Sequence, residues 1–329
     1  MENKKQILSM QLNVDDFAPA SDSEKESLSV MRESVSFWKD GLRRLRKNPI
    51  AMVSLAVLII VLILAFIVPA FYPYDYATQI RGSENLGPMQ YSEAEQAAMA
   101  AGEKVFPHIL GTDSLGRDYA VRVMMGTRVS LSVGLLASVL VLLIGSVYGS
   151  VAGFLGGKVD LFMMRIVDIL MSVPSFLIII TLNIYMNAGI RTLVVTIGLF
   201  SWMGVARIVR AEVLSLRERD FILASEGLGA RKSWVITRHF ARNVFSPVLV
   251  ASTNSIASAI LTESSLSYLG FGISIPNPSW GGMLEGAQTY ILTHPSLAVY
   301  PGVCILLTVL CFNVLGNGFR RRFSPNSGR

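Results

Sequence analysis

Reactive chemistry has few places to reside in this 329-residue chain. Its three histidines, His108, His239 and His294, lie in separate segments, without the spacing that would converge ligands on a metal. Gly153–Lys158 reads GFLGGK, which lacks the first glycine of a phosphate-binding loop and continues with Val159 where Ser or Thr is needed. No HExxH, no GxSxG and no Cys/His pair with an orienting acid occurs. The cysteines, Cys304 and Cys311, stand about 10 Å apart along a helix, too far for a disulfide. The sequence therefore points to no catalytic, cofactor-binding or metal-binding residue of its own, and away from an enzyme.

Two groups of residues remain. Glu263 is the one acid deep inside an apolar stretch, and it stands among Ser252, Thr253, Asn254, Ser255, Ser258, Thr262, Ser264, Ser265 and Ser267. An acid in hydrocarbon is costly, so it marks either a function or a buried pair. Glu263 could be protonated, or could pair with Arg128 or Arg191. Hydroxyls at this density either join helices or line a wet path; the candidate path set is Ser255, Ser258, Thr262, Glu263 and Ser265. The second group lies in a basic stretch. Asp220–Leu228 and Lys232–Arg242 read as short helices broken at Gly229, a residue free to take positive φ and end a helix. Ala224, Ser225, Gly227, Gly229 and Ala230 make the turn nearly free of side chains. Such a knob with a basic rim suits a cleft on a soluble partner, or else an amphipathic hairpin lying on anionic lipid.

The elements that carry these groups follow from composition. Hydrophobic residues make up 52% of the chain and charged residues only 16%, against about 25% charged in a soluble domain. Long charge-free stretches alternate with short basic connections, which excludes a disordered chain, a disulfide scaffold and a soluble nucleic-acid binder. The expected fold is all-α and polytopic in a membrane, with six transmembrane helices. Residues 1–48 form a polar tail whose basic end (Lys39, Arg43, Arg44, Arg46, Lys47) precedes a first helix over 49–72, long enough for about 30 Å of hydrocarbon. An external loop covers 73–127, where acids outnumber bases. The core over 128–319 holds a second span from Arg128, a third centred on Ile166–Tyr185, a fourth opening at Arg191, a fifth over Ser246–Phe271 and a sixth over Leu297–Phe319. A basic loop at about 207–246 lies between the fourth and fifth, and 320–329 is a basic tail. Six crossings put both termini and every basic cluster on the cytoplasmic side, as the positive-inside rule requires. The net charge of +6 thus records orientation. In the second span Gly145, Gly149 and Gly153 share one helix face, either for packing within the chain or for a subunit interface.

Beyond this the residues resemble a known family. His108–Asp118 (HILGTDSLGRD), continuing through Arg122, Gly126, Arg128, Ser130, Leu131 and Gly134, is similar to a signature of the C-type permease subunits of dipeptide, oligopeptide and nickel ATP-binding-cassette importers. So is Thr262–Gly272 (TESSLSYLGFG), followed by Pro278-Ser279-Trp280-Gly281 and Met283-Leu284. Arg217–Gly229 (RERDFILASEGLG) resembles the coupling loop of such importers, although Leu223-Ala224-Ser225 replaces the usual Glu-Ala-Ala and His239-Phe240-Ala241-Arg242 the usual His-x-x-Pro. The likeness runs from about Leu42 to Pro325 and leaves 1–30 and 80–106 uncovered.

The resemblance implies a type I importer permease in the bacterial cytoplasmic membrane. It implies a homologous second permease, two cytoplasmic ATPase subunits that bind ATP and Mg, an external substrate-binding protein and surrounding lipid as partners, with no nucleic acid. It places the ATPase-coupling loop at Arg219, Asp220, Leu223, Ala224, Ser225, Gly227, Gly229, Ala230 and His239. Peptide is the implied cargo; nickel or another small solute is the alternative. A self-sufficient channel or secondary transporter would call for more intramembrane titratable groups and inverted repeats.

Overall fold

The computed structural model describes Arg43, residues 45–187 and 189–217, Arg219, Gly227, Gly229 and 241–323, the side chains of 241–246 and 321–323 excepted. The chain divides after Arg43, and everything below concerns the larger unit from Arg44 onward. Among the described residues the regular structure is helical: α1 (Pro49–Phe66), α2 (Glu93–Ala100), α3 (Tyr119–Leu155), α4 (Gly157–Ser172), α5 (Ser175–Tyr185), α6 (Ile190–Arg217), α7 (Ala241–Tyr268), α8 (Trp280–Ala287) and α9 (Ser296–Phe323).

Local sequence sets the ends. Asn48 caps α1 through its side chain, with Pro49 in the first turn where its missing N–H costs nothing. α1 is apolar on every side, and Ile50, Val53, Ile60 and Ile63 stay exposed along it, the surface a helix presents to lipid. Asp118 caps α3 by accepting from the Val121 N–H at 3.0 Å. The helix therefore begins at Tyr119 rather than at Arg128. Its early arginine, Arg122, lies 3.3 Å from the Asp113 carboxylate and donates to the Tyr76 carbonyl at 3.0 Å.

The expected continuous third span is two helices. Val173, ahead of Pro174, is held extended at φ −94° and ψ 130°, as a residue before proline prefers. α4 and α5 consequently meet at a bend of 73°. Among the described residues four helices are long and apolar enough to cross a membrane, and a fifth results if the bent pair counts as one span. α7 has 28 residues, which is about 42 Å at 1.5 Å per residue.

The tightest packing joins α3 to α6. An added Cβ at Gly145 would stand 2.8 Å from Val205 Cβ, one at Gly153 would stand 2.9 Å from the Arg210 carbonyl oxygen, and one at Gly149 would strike the Ala206 carbonyl. The glycine stripe is thus a packing face within the chain, letting two backbones close on each other. Val205, Ala206, Val209 and Val213 fill the seam, with Val141, Val167 and Trp202 around them. α7 crosses the other side of α3, where Gly134 admits Ile260. Leu131, Ile260 and Trp280 then close a second core beneath α8.

Candidate functional site

α7 carries two polar faces with different surroundings. Ser255, Ser258, Thr262 and Ser265 recur at intervals of three and four, one stripe of a helix. Ser258 and Ser265 are exposed, and Ser255 and Thr262 half-buried. Asn254 is exposed beside them. Thr262 Oγ1 donates to the Ser258 carbonyl at 2.9 Å and Ser265 Oγ to the Leu261 carbonyl at 2.8 Å. Hydroxyls satisfied by their own helix can sit in an apolar setting and still offer lone pairs outward.

Glu263 faces the other way. It is fully buried, and Ser267 Oγ donates to its Oε1 at 2.8 Å while Ser264 Oγ lies 3.4 Å from Oε2. The hydroxyls of Ser130 on α3 and Ser279 at the start of α8 also hydrogen-bond to it. Neither expected arginine partners it: Arg128 stands 5.3 Å over the Phe66 ring, and Arg191 is exposed at the head of α6. Ser130 also accepts from the Trp280 N–H at 3.3 Å, and the Trp280 indole N–H donates to Thr127 Oγ1 at 3.1 Å. Gly281 lies so close to the Ser264 carbonyl that a Cβ would collide with it. Glu263 is therefore the hub of a buried network that fastens the short helix α8 to α3 and α7. The sequence grouped it with the stripe; the structure sets it on the opposite face, where serines rather than charges surround it.

At the same end of the bundle the HILGTDSLGRD segment forms a compact loop. Asp113 accepts through Oδ1 from the backbone of Leu115 and Arg117, at 2.9 and 3.0 Å, and through Oδ2 from Arg117 Nε at 2.7 Å. Gly111 and Gly116 have φ of 80° and 70°. The carbonyls of Leu86 and Ile80 press on them where a side chain would begin, so glycine is required twice over. His108 is fully buried, with Nδ1 2.8 Å from Asp118 Oδ2 and Nε2 3.0 Å from Glu95 Oε1. The Tyr74 ring stacks on it at 4.5 Å. Burial alone would lower the histidine's affinity for its proton, but the Asp118 hydrogen bond and the charges of Glu95 and Asp118 outweigh it and raise the pKa above 6.5. Two ring nitrogens meeting two carboxylates require one proton beyond a neutral imidazole.

The 80–106 segment, which matches nothing in the sequence motifs, supplies Glu95. A signal for it was present: Ser92-Glu93-Ala94-Glu95 is a capping box, and Ser92 and Glu95 do bond reciprocally at the start of α2. What spacing could not show is that Glu95 spends its other oxygen on His108.

At the opposite end, Arg210 forms a two-pronged pair with Asp160, Nη2 to Oδ2 being 2.6 Å. Arg207 reaches Asp168 at 2.5 Å. Both pairs tie α6 to α4 just ahead of the basic loop. Of the expected coupling residues, Arg219 and Gly229 are exposed, Gly229 with φ 81°, and Gly227 is exposed too. Asp220, Leu223, Ala224, Ser225, Ala230 and His239 lie outside the described residues.

Apolar helices long enough to cross a membrane, one of them followed in the bundle by a helix with an exposed polar face, define the class as a polytopic membrane protein. Comparison with known proteins places it more closely. Residues 145–328 match the family "binding-protein-dependent transport system inner membrane component", and residues 36–88 match the "N-terminal TM domain of oligopeptide transport permease C". The chain belongs to this permease family. It is 37% identical over 309 residues to the oligopeptide transport system permease protein OppC of Bacillus subtilis, covering 94% of this chain and 96% of that protein. It is 36% identical to the dipeptide transport system permease protein DppC of the same organism, over 95% of this chain and 93% of that one. With the Escherichia coli K12 OppC it shares 39% over 91% of this chain and 94% of the relative. Among solved structures, the inward-facing MetNI methionine ABC transporter has a chain of similar fold. The TM-score is 0.53 at 16% identity, over 61% of this chain and 96% of that one.

Proposed function

We propose that this chain is one of the two permease subunits of an ATP-driven peptide importer of the bacterial cytoplasmic membrane. Relatives named for oligopeptide and dipeptide transport, similar along nearly the whole chain, support the cargo class. The structural observation that carries the reading is the stripe of Ser255, Ser258, Thr262 and Ser265, exposed at Ser258 and Ser265. A polar helix face in an otherwise apolar bundle needs either water or another subunit, and a path between two homologous permeases supplies both. α7 is then the sixth crossing, and both termini are cytoplasmic.

Energy enters through the basic loop. Gly229 and the small residues around it seat in a cleft of a cytoplasmic ATPase subunit, which holds the ATP and Mg. The Arg210–Asp160 and Arg207–Asp168 pairs make α6 and α4 move together when that cleft closes, a rigid-body switch between two packed arrangements. The opposite end, with the 73–118 segment and α8, receives the external binding protein.

The test is ATP-driven uptake of a labelled peptide by the reconstituted importer carrying Gly229→Ala or Gly229→Trp. Either side chain meets the same backbone strain at positive φ, about 1–2 kcal/mol, and a Cβ there meets nothing within 4 Å in this chain. Gly229→Trp should therefore abolish ATPase docking and uptake, Gly229→Ala should retain most of both, and both variants should insert normally. Full uptake by Gly229→Trp would remove the coupling assignment.

A further inference from the structure

The loop end of the bundle encloses a second feature that the transport reading does not use. Asp113, Ser114, Arg117, Tyr119 and Arg122 face Gly282, Met283, Gly286, Ala287 and Leu297 across a partly enclosed cavity of about 60 Å³. Its charged lining is one carboxylate and two guanidiniums. Arg117 and Arg122 are each more than nine-tenths buried, at 9% and 8% exposure. The Asp113 carboxylate is already committed: Oδ1 to two backbone N–H groups, Oδ2 to both Nε and Nη2 of Arg117. Arg122 Nη1 donates to the Tyr76 carbonyl at 3.0 Å, but its Nε, within ion-pair range of the same Oδ2 at 3.3 Å, makes no hydrogen bond and is buried from solvent. The nearby Asp118 gives no help, since its oxygens serve the Val121 N–H and His108.

A buried guanidinium is tolerable only when paired and hydrogen-bonded. One carboxylate against two arginines leaves one positive charge in the cavity wall without its own counter-charge. Ser114 adds a hydroxyl to the lining, and the α8 side is built of Gly282, Gly286 and Ala287, which leave room. Holding one water takes about 10–15 Å³ of such room. The cavity therefore admits an ion of one to a few heavy atoms and excludes a side chain as large as its own arginines.

We propose that this cavity is a binding site for a small monovalent anion, chloride or a carboxylate group, which completes the charge pairing of Arg122 and joins the loop to α8. The site stands on this chain's geometry and does not depend on the transport reading.

The test uses the purified full-length chain in detergent. Its thermal midpoint is followed against sodium chloride, sodium acetate and the sodium salt of morpholinoethanesulfonate, whose anion is too large to enter, all at one ionic strength. Chloride, acetate or both should raise the midpoint to a plateau, while the bulky sulfonate leaves it flat. Gly286→Leu, which fills the cavity from a position where a Cβ meets nothing within 4 Å, should abolish the rise while keeping both arginines. Chlorine NMR linewidth, broadened by the wild-type chain, gives a second readout. Strong narrowing on acetate addition identifies a carboxylate as the preferred occupant, and resistance to acetate identifies chloride. Three superimposable salt curves, or a chloride response undiminished in Gly286→Leu, would overturn the proposal. Should Gly286→Leu fail to fold, the linewidth competition on wild type decides: broadening that the bulky sulfonate relieves as well as acetate does overturns it.

Discussion

Glu263 and His108 show how one buried titratable side chain can fasten several elements together. Glu263 offers acceptors to hydroxyls from α3, α7 and the start of α8. Glu263→Gln keeps its shape but turns one acceptor into a donor, so some serines must reverse. Glu263→Leu leaves them unpaired, at about 1–3 kcal/mol for each buried group. The expected order of thermal midpoints in detergent is wild type, Gln, then Leu. Gln should assemble but alter peptide uptake, and wild-type uptake across a pH series would reduce Glu263 to a structural residue. For His108 the sign follows from its partners. Its pKa is raised in the folded chain, so its stabilisation is complete below the ordinary histidine value and is lost as pH rises through the folded one. His108→Gln should lower the midpoint most in acid and progressively less toward alkaline pH. A difference that grows with pH would contradict the charged clasp.

At the scale of elements, the α3–α6 seam is the least forgiving part of the molecule. Gly149→Ala would place a methyl against the Ala206 carbonyl, and backbone cannot step aside as a side chain can. Overpacking of this kind costs about 1–3 kcal/mol. Gly204, on the exposed side of the same α6, has nothing within 4 Å of an added Cβ. Gly204→Ala should be neutral or gain up to about 1 kcal/mol from helix propensity. Yields of monodisperse protein and thermal midpoints for the two variants check this. The glycine stripe was visible in the sequence because its period is that of a helix; which partner it meets was not, because period carries no information about neighbours. The same limit explains α4 and α5. Their apolar run reads as one span, and Pro174 was the available sign of the break. It explains Glu263 too: composition placed it among hydroxyls, but only the rotation of α7 relative to α3 decides that it turns inward while Ser258 and Ser265 turn out.

For the whole molecule, the arrangement of apolar and polar surface implies which side meets lipid and which meets water. The long apolar helices were legible from charge and hydrophobicity, since each is a local property of the chain. In the proposed importer the pathway is not local, because it would need a surface that this subunit leaves open and another subunit faces. α1 exposes Ile60 in a setting of aliphatic neighbours, whereas α7 exposes Ser258 and Ser265. Cysteines placed at these positions, in a chain whose Cys304 and Cys311 are replaced by alanine, should therefore differ in reactivity. A thiol reacts as its thiolate, which forms in water and is suppressed in hydrocarbon. In the reconstituted importer a membrane-impermeant maleimide should label Ser258→Cys and Ser265→Cys and leave Ile60→Cys unmodified. Labelling of the α7 positions should also change when a non-hydrolysable ATP analogue traps the complex, because a path open to one side closes to it in the other state. If both α7 cysteines stay unreactive in every state while the complex transports peptide, the stripe is a dry joint between subunits and the path runs elsewhere.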